Sequence, residues 1–95
     1  MTGIDPSGME GLVSVYPNPF REKITISYIL KEAGAVKISL FDAFGKEVRV
    51  ILDPERQNAG KHQVEMTAGN LNNGVYIVKI QTLSYSISKK ILLVY

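Results

Sequence analysis

Apolar and polar positions alternate with a period of two along most of the chain, and that spacing predicts strands. Residues 24–30 read Ile-Thr-Ile-Ser-Tyr-Ile-Leu, with Ile24, Ile26, Tyr28 and Leu30 on one face and Thr25 and Ser27 on the other. This is the pattern of a half-buried strand. Residues 35–41 repeat it with Val36, Ile38 and Leu40 inward. Residues 46–52 form the expected return strand, placing Val48, Val50 and Leu52 on one face and Glu47 and Arg49 on the other. Residues 12–16 make a short strand, and residues 61–67 an exposed one with Val64 and Met66 inward. The run from Val75 to Ile80 is β-branched or aromatic at nearly every position, which predicts a central strand covered on both faces. Residues 85–95 close the series with a strand whose second half is apolar on both faces. No helical period occurs anywhere.

The connections are as informative as the strands. Asp42-Ala43-Phe44-Gly45 fits a type I turn followed by a G1 bulge. Asp42 accepts from the N–H two residues on, and Gly45 takes the left-handed conformation. A metal loop at Asp42 would need further acidic residues at calcium-loop spacing, and none stands nearby. Residues 31–34 and 82–84 are turns, and 53–60 read as a polar loop. Pro17 and Pro19 push Tyr16 and Asn18 into extended conformations. In an extended chain both prolines withhold an N–H on one side, which predicts an edge that resists further pairing.

About seven strands at short intervals, with turn signals between them, predict an all-β fold: a small antiparallel β-sandwich, or a barrel of similar strand count. The order Leu71-Asn72-Asn73-Gly74-Val75-Tyr76 resembles the tyrosine corner of Ig-like sandwiches, in which a strand tyrosine bonds backbone a few residues upstream. An ordinary half-buried tyrosine is the alternative for Tyr76.

Composition narrows the function classes. Ninety-five residues, 45% of them hydrophobic, suit one independently folding domain. A net charge of +2 with scattered basic residues lacks the stripe expected of nucleic-acid binding. There is no cysteine to form disulfides or thiolate metal sites. No apolar run reaches the roughly 18 residues of a membrane-spanning helix, and no signal-peptide pattern stands at the N-terminus. Residues 1–11, rich in glycine, proline and small polar groups, read as a linker or a segment added for expression, with the domain at 12–95. The whole then reads as a piece of a longer protein.

Catalytic chemistry is not nominated. His62, the single histidine, lies between Lys61 and Gln63 as a surface strand residue. No glycine-flanked serine elbow and no phosphate-binding loop before a helix is present. The carboxylates are dispersed over turns and outer faces. The chain therefore reads as non-enzymatic, with no cofactor.

Three motifs and the closing run carry a family resemblance: Tyr16-Pro17-Asn18-Pro19-Phe20, the 40–48 hairpin around Asp42 and Gly45, 71–76, and Lys89-Lys90-Ile91-Leu92-Leu93-Val94-Tyr95. In this order and spacing the chain resembles the type A C-terminal sorting domain of the type IX secretion system of Bacteroidetes-type bacteria. More distantly it is similar to the Ig-like domain of flagellar hook-capping proteins. The resemblance implies an Ig-like sandwich that serves as a secretion signal for a cargo fused N-terminal to it. The cargo would pass through the periplasm, be recognised by the outer-membrane translocon, and finish at the outer membrane, on the cell surface or outside the cell. A sortase-like peptidase would cut ahead of the domain. By the same resemblance the recognition determinants fall at Gly74, Tyr76, Lys89, Lys90, Ile91 and Val94. Pro17, Asn18, Pro19, Asp42 and Gly45 are motif positions that specify the fold. A terminal strand read in this way would be engaged by strand pairing or through an apolar patch around residues 87–95. The alternative function is an Ig-like or fibronectin-like accessory module, carbohydrate-binding or a spacer, in a surface enzyme. The dispersed Tyr and Phe and the absence of Trp weigh against a row of sugar-stacking aromatics.

Overall fold

A computed structural model describes residues 11–95; the linker assigned to 1–11 lies, apart from Gly11, outside the described residues. Seven strands follow one another: β1 (Val13–Tyr16), β2 (Lys23–Leu30), β3 (Gly34–Asp42), β4 (Glu47–Gln57), β5 (Gly60–Thr67), β6 (Gly74–Gln81) and β7 (Ser86–Leu93). They form a three-stranded sheet in the order β1-β2-β5 and a four-stranded sheet in the order β4-β3-β6-β7, every strand pair antiparallel. The two pack as an Ig-like β-sandwich, so the sandwich holds and the barrel does not.

Alternation sets the core. Ile24, Ile26, Tyr28 and Leu30 from β2 meet Val36, Ile38 and Leu40 from β3, and all are buried. Tyr76, Val78 and Ile80 of β6 and Ile91 and Leu93 of β7 complete the layer. Each aliphatic side chain removed from water in this way contributes about 1.5–3 kcal/mol. Polar laces tie the sheets at their margins. The Tyr28 hydroxyl donates to Gln57 Oε1 at 2.6 Å, and the Tyr85 hydroxyl to the Ile29 carbonyl at 2.7 Å.

Three expectations are corrected. On β4 the expected inward face holds at Leu52, which packs against the core opposite Ile38, but not before it: Val48 and Val50 are exposed, while Arg49 reaches across to the Thr67 and Ala68 carbonyls and Ile51 also packs against the core. The cause is a run of register shifts against β3, between Val36 and Ile38, Ile38 and Ser39, and Leu40 and Phe41. Each extra residue turns the following side chains to the other face. The polar loop expected at 53–60 is strand as far as Gln57, with Pro54 tolerated because β4 lies at a sheet edge. On β6 only one face is fully covered. Val75 is exposed and Ile77 and Lys79 are half-buried, because no third layer among the described residues packs on the four-stranded sheet.

Candidate recognition site

The positions singled out in the sequence converge on β6, β7 and the segment after β1. Tyr76 pairs with Ile91, Ile77 with Lys90, Val78 with Lys89, and Gly74 with Leu93. Cα partners across a ladder project to the same face, so Lys89 and Lys90 point oppositely. Lys89 shares the inner row with Ile87, Ile91 and Leu93, and Lys90 the outer row with Leu92. Tyr76 and Ile91 are core residues, whereas Lys90 and Val94 stand at the surface.

Tyr76 forms the corner. Its hydroxyl donates to the Asn72 carbonyl at 2.6 Å. Gly74 starts β6 with φ of 148°, a conformation that side-chain-bearing residues seldom adopt. Tyr95 makes a parallel bond from its hydroxyl to the Leu71 carbonyl at 2.6 Å. Asn73 completes the clasp, its Nδ2 donating to the Tyr95 carbonyl and its Oδ1 accepting the Tyr95 N–H. The sequence reading found the first tyrosine and missed the second. The Asn73 amide thus acts as a stand-in for a backbone peptide group.

Asn18 plays the same part on the outer edge of β7. Its Nδ2 donates to the Lys90 carbonyl and its Oδ1 accepts the Leu92 N–H, both at 3.0 Å. Two residues on, the Phe20 N–H donates to the Leu92 carbonyl and the Phe20 carbonyl accepts the Val94 N–H, each at 2.9 Å. Phe20 and Leu93 form a parallel bridge, with the Phe20 ring buried at 1% exposure. The prolines therefore do not leave a bare edge, as their missing N–H groups suggested. Asn18 and Phe20 supply the donors and acceptors that Pro17 and Pro19 lack and close the edge of β7 from Lys90 to Val94. The remainder of that edge, at Ser86, Ser88 and the Lys90 N–H, has no hydrogen-bond partner among the described residues.

The Asp42 turn sits beside the corner, since Asp42 pairs with Tyr76 across β3 and β6. Asp42 Oδ1 accepts the Phe44 and Lys46 N–H groups at 2.9 and 3.0 Å, and Gly45 has φ of 88°. Both of its sequence-assigned roles hold. An open groove of about 360 Å³ runs between this turn and the corner, lined by Phe44, Asn72, Asn73 and Tyr76 among others.

No cluster of metal-ligating side chains occurs among the described residues. His62 stacks on Tyr28 with ring centroids 5.5 Å apart, and its Nε2 lies 2.7 Å from the Asn58 carbonyl. Burial raises the Tyr28 hydroxyl above the ordinary 10.0, opposed by its bond to Gln57; burial raises Tyr85 likewise. These are sheet-lacing groups held neutral.

Compared with known families, residues 14–94 match the model of the secretion system C-terminal sorting domain. No curated protein matches the chain.

Proposed function

The chain belongs to the secretion system C-terminal sorting domain family, and on that premise we propose that it carries an N-terminally fused cargo across the outer membrane through the type IX system, for attachment to the cell surface or release. The family is one of sorting signals and not of enzymes. Such a signal implies engagement with the type IX machinery and export to the outer membrane, the cell surface or beyond.

In this reading the cargo folds in the periplasm, the outer-membrane translocon takes hold of the domain, and a sortase-like peptidase cuts in the linker before Leu12. The observation that carries the reading is the extent of the family match, which spans the fold from β1 through Val94. The recognition positions then divide by burial. Gly74, Tyr76 and Ile91 act through the fold, fixing the corner and seating β7. Lys89, at the edge of the inner row, and the surface residues Lys90 and Val94 are the ones a partner can touch. Recognition by adding a strand along Lys90–Val94 is disfavoured while Asn18 and Phe20 occupy that edge.

A periplasm-directed reporter carrying the whole chain at its C-terminal end tests the reading. It should reach the surface in a host with the type IX system and remain in the periplasm of a host without it. Retention in both would contradict it, and so would unchanged export after deletion of residues 91–95.

A further inference from the structure

Resting on that sorting reading, we infer that the outer face of the four-stranded sheet is the surface the translocon grips, and that it fits a protein surface of aliphatic side chains rimmed by carboxylates.

Cross-strand register assembles the face. Lys37 pairs with Gln81 and Gln81 with Ser86; Ser39 pairs with Lys79 and Lys79 with Ser88. Phe41 pairs with Ile77 and Ile77 with Lys90, and Val75 pairs with Leu92. Across these three strands the outward residues include three lysines and no carboxylate. At the margin, β4 adds Val50, opposite Ser39, and two acids, Glu47, opposite Phe41, and the exposed Asp53, in the register shift beside Lys37. Val75 and Leu92 are each 37% exposed and Val50 40%. Aliphatic side chains therefore stand exposed between lysines on a sheet with no layer above it among the described residues.

The centre of the face is already dry. Ser39 points outward, yet it is 2% exposed and its hydroxyl has no hydrogen-bond partner among the described residues. Neighbouring side chains shield it from water, so a partner laid over this centre has little solvent left to strip away.

Charge selects the occupant. A second copy would set lysine against lysine, and like charges facing one another across an interface are costly. A lipid surface would require apolar groups that stand proud of the face, whereas Phe41 and Ile77 are half-buried between their neighbours. A flat protein surface with acidic residues around an aliphatic centre satisfies both the lysines and the valine–leucine row. The outer face of the other sheet does not: Lys23, Thr25, Ser27 and Ile29 of β2 lie there beside Lys61, Gln63, Glu65 and Thr67 of β5.

The test uses the reporter fused to the whole chain, with a photo-crosslinking amino acid at Val75 or, as a control, at Thr25. The Val75 position should give an adduct with a protein of the export machinery, and the Thr25 position none. Lys79→Glu/Lys90→Glu should suppress that adduct and lower surface export by about tenfold or more at an unchanged melting temperature. Lys23→Glu/Lys61→Glu on the opposite face should export as the unmodified chain does. If the reversal pair melts early, Lys79→Gln/Lys90→Gln is read instead, with reduced adduct yield expected. Unmodified chain exported and the reversal pair exported equally would overturn the inference alone. So would a Val75 adduct with lipid or with a second copy. An unmodified fusion held in the periplasm would overturn the sorting reading itself.

Discussion

Outward from the three-stranded sheet stand Thr25, Ser27, Gln63 and Glu65, with Ile29 the lone aliphatic on β2 and Tyr16 of β1 beside Thr25; outward from the four-stranded sheet stand Phe41, Val75, Ile77 and Leu92 among lysines. Inward, the two sheets are alike, each giving a row of Ile, Leu and Val that is almost wholly buried. The inner rows answer to folding, and two sheets in one core face the same demand. The outer rows are free to differ, and here they do. Hydroxyls and mixed charge suit a face that meets water, while aliphatics between lysines on a sheet that no described residue covers suit one that meets a partner.

The comparison can be broken first at its inner half. Ile26→Ala on one sheet and Ile80→Ala on the other should each cost about 2–5 kcal/mol in urea unfolding, since both side chains are 0% exposed. A much smaller loss on either side would mean the inner rows are not equivalent. Tyr76→Phe comes next, with a loss of about 1–3 kcal/mol expected from removing the hydroxyl bond to the Asn72 carbonyl. An unchanged melting temperature would make it an ordinary strand tyrosine. Asn18→Ala should cost about 1 kcal/mol, because water can reach the exposed Lys90 and Leu92 groups it releases.

The outer faces give the next contrast, with a change of sign. Ser39→Ala removes a buried hydroxyl that has no partner among the described residues, so it should be neutral or stabilising by up to about 1 kcal/mol. Ser27→Ala, at the half-buried counterpart position, should bring no such gain. Smallest at ordinary pH is the effect of the sheet-lacing tyrosines. Burial raises Tyr28 and Tyr85 above 10.0, so the folded chain holds these protons more tightly than the unfolded chain. Their stabilisation is complete below pH 10 and is lost as pH rises beyond it. A melting temperature that fell between pH 7 and 9 and recovered in Tyr28→Phe would contradict that assignment.

What could be read in the residues was local. The inward rows of β2 and β3 follow from alternation, the Asp42–Gly45 turn from a side chain bonding two residues on, and the tyrosine corner from a bond four residues back. The errors lie where geometry depends on distant partners. The inward positions at the start of β4, Val48 and Val50, were misplaced while Leu52 was not, because three register shifts against β3 carry no signature in β4's own alternation. The role of Asn18 was hidden because its partners lie 72 and 74 positions away. Pro-Asn-Pro read alone describes an edge that cannot pair, and only the fold brings Lys90 and Leu92 to the asparagine between the prolines. At the site, the convergence of Gly74, Tyr76, Lys89, Lys90 and Ile91 on two neighbouring strands agrees with the motif order. Their division between core and surface required the register.

The account depends on the folded label presenting a face, with the edge of its last strand shut by Asn18 and Phe20. Site-resolved amide exchange measures that closure. The Leu92 and Val94 amides should be protected, and the Ser88 and Lys90 amides should exchange rapidly on the same strand. Leu92 and Val94 exchanging as fast as Ser88 would mean that the edge is open to strand pairing, and would contradict the account.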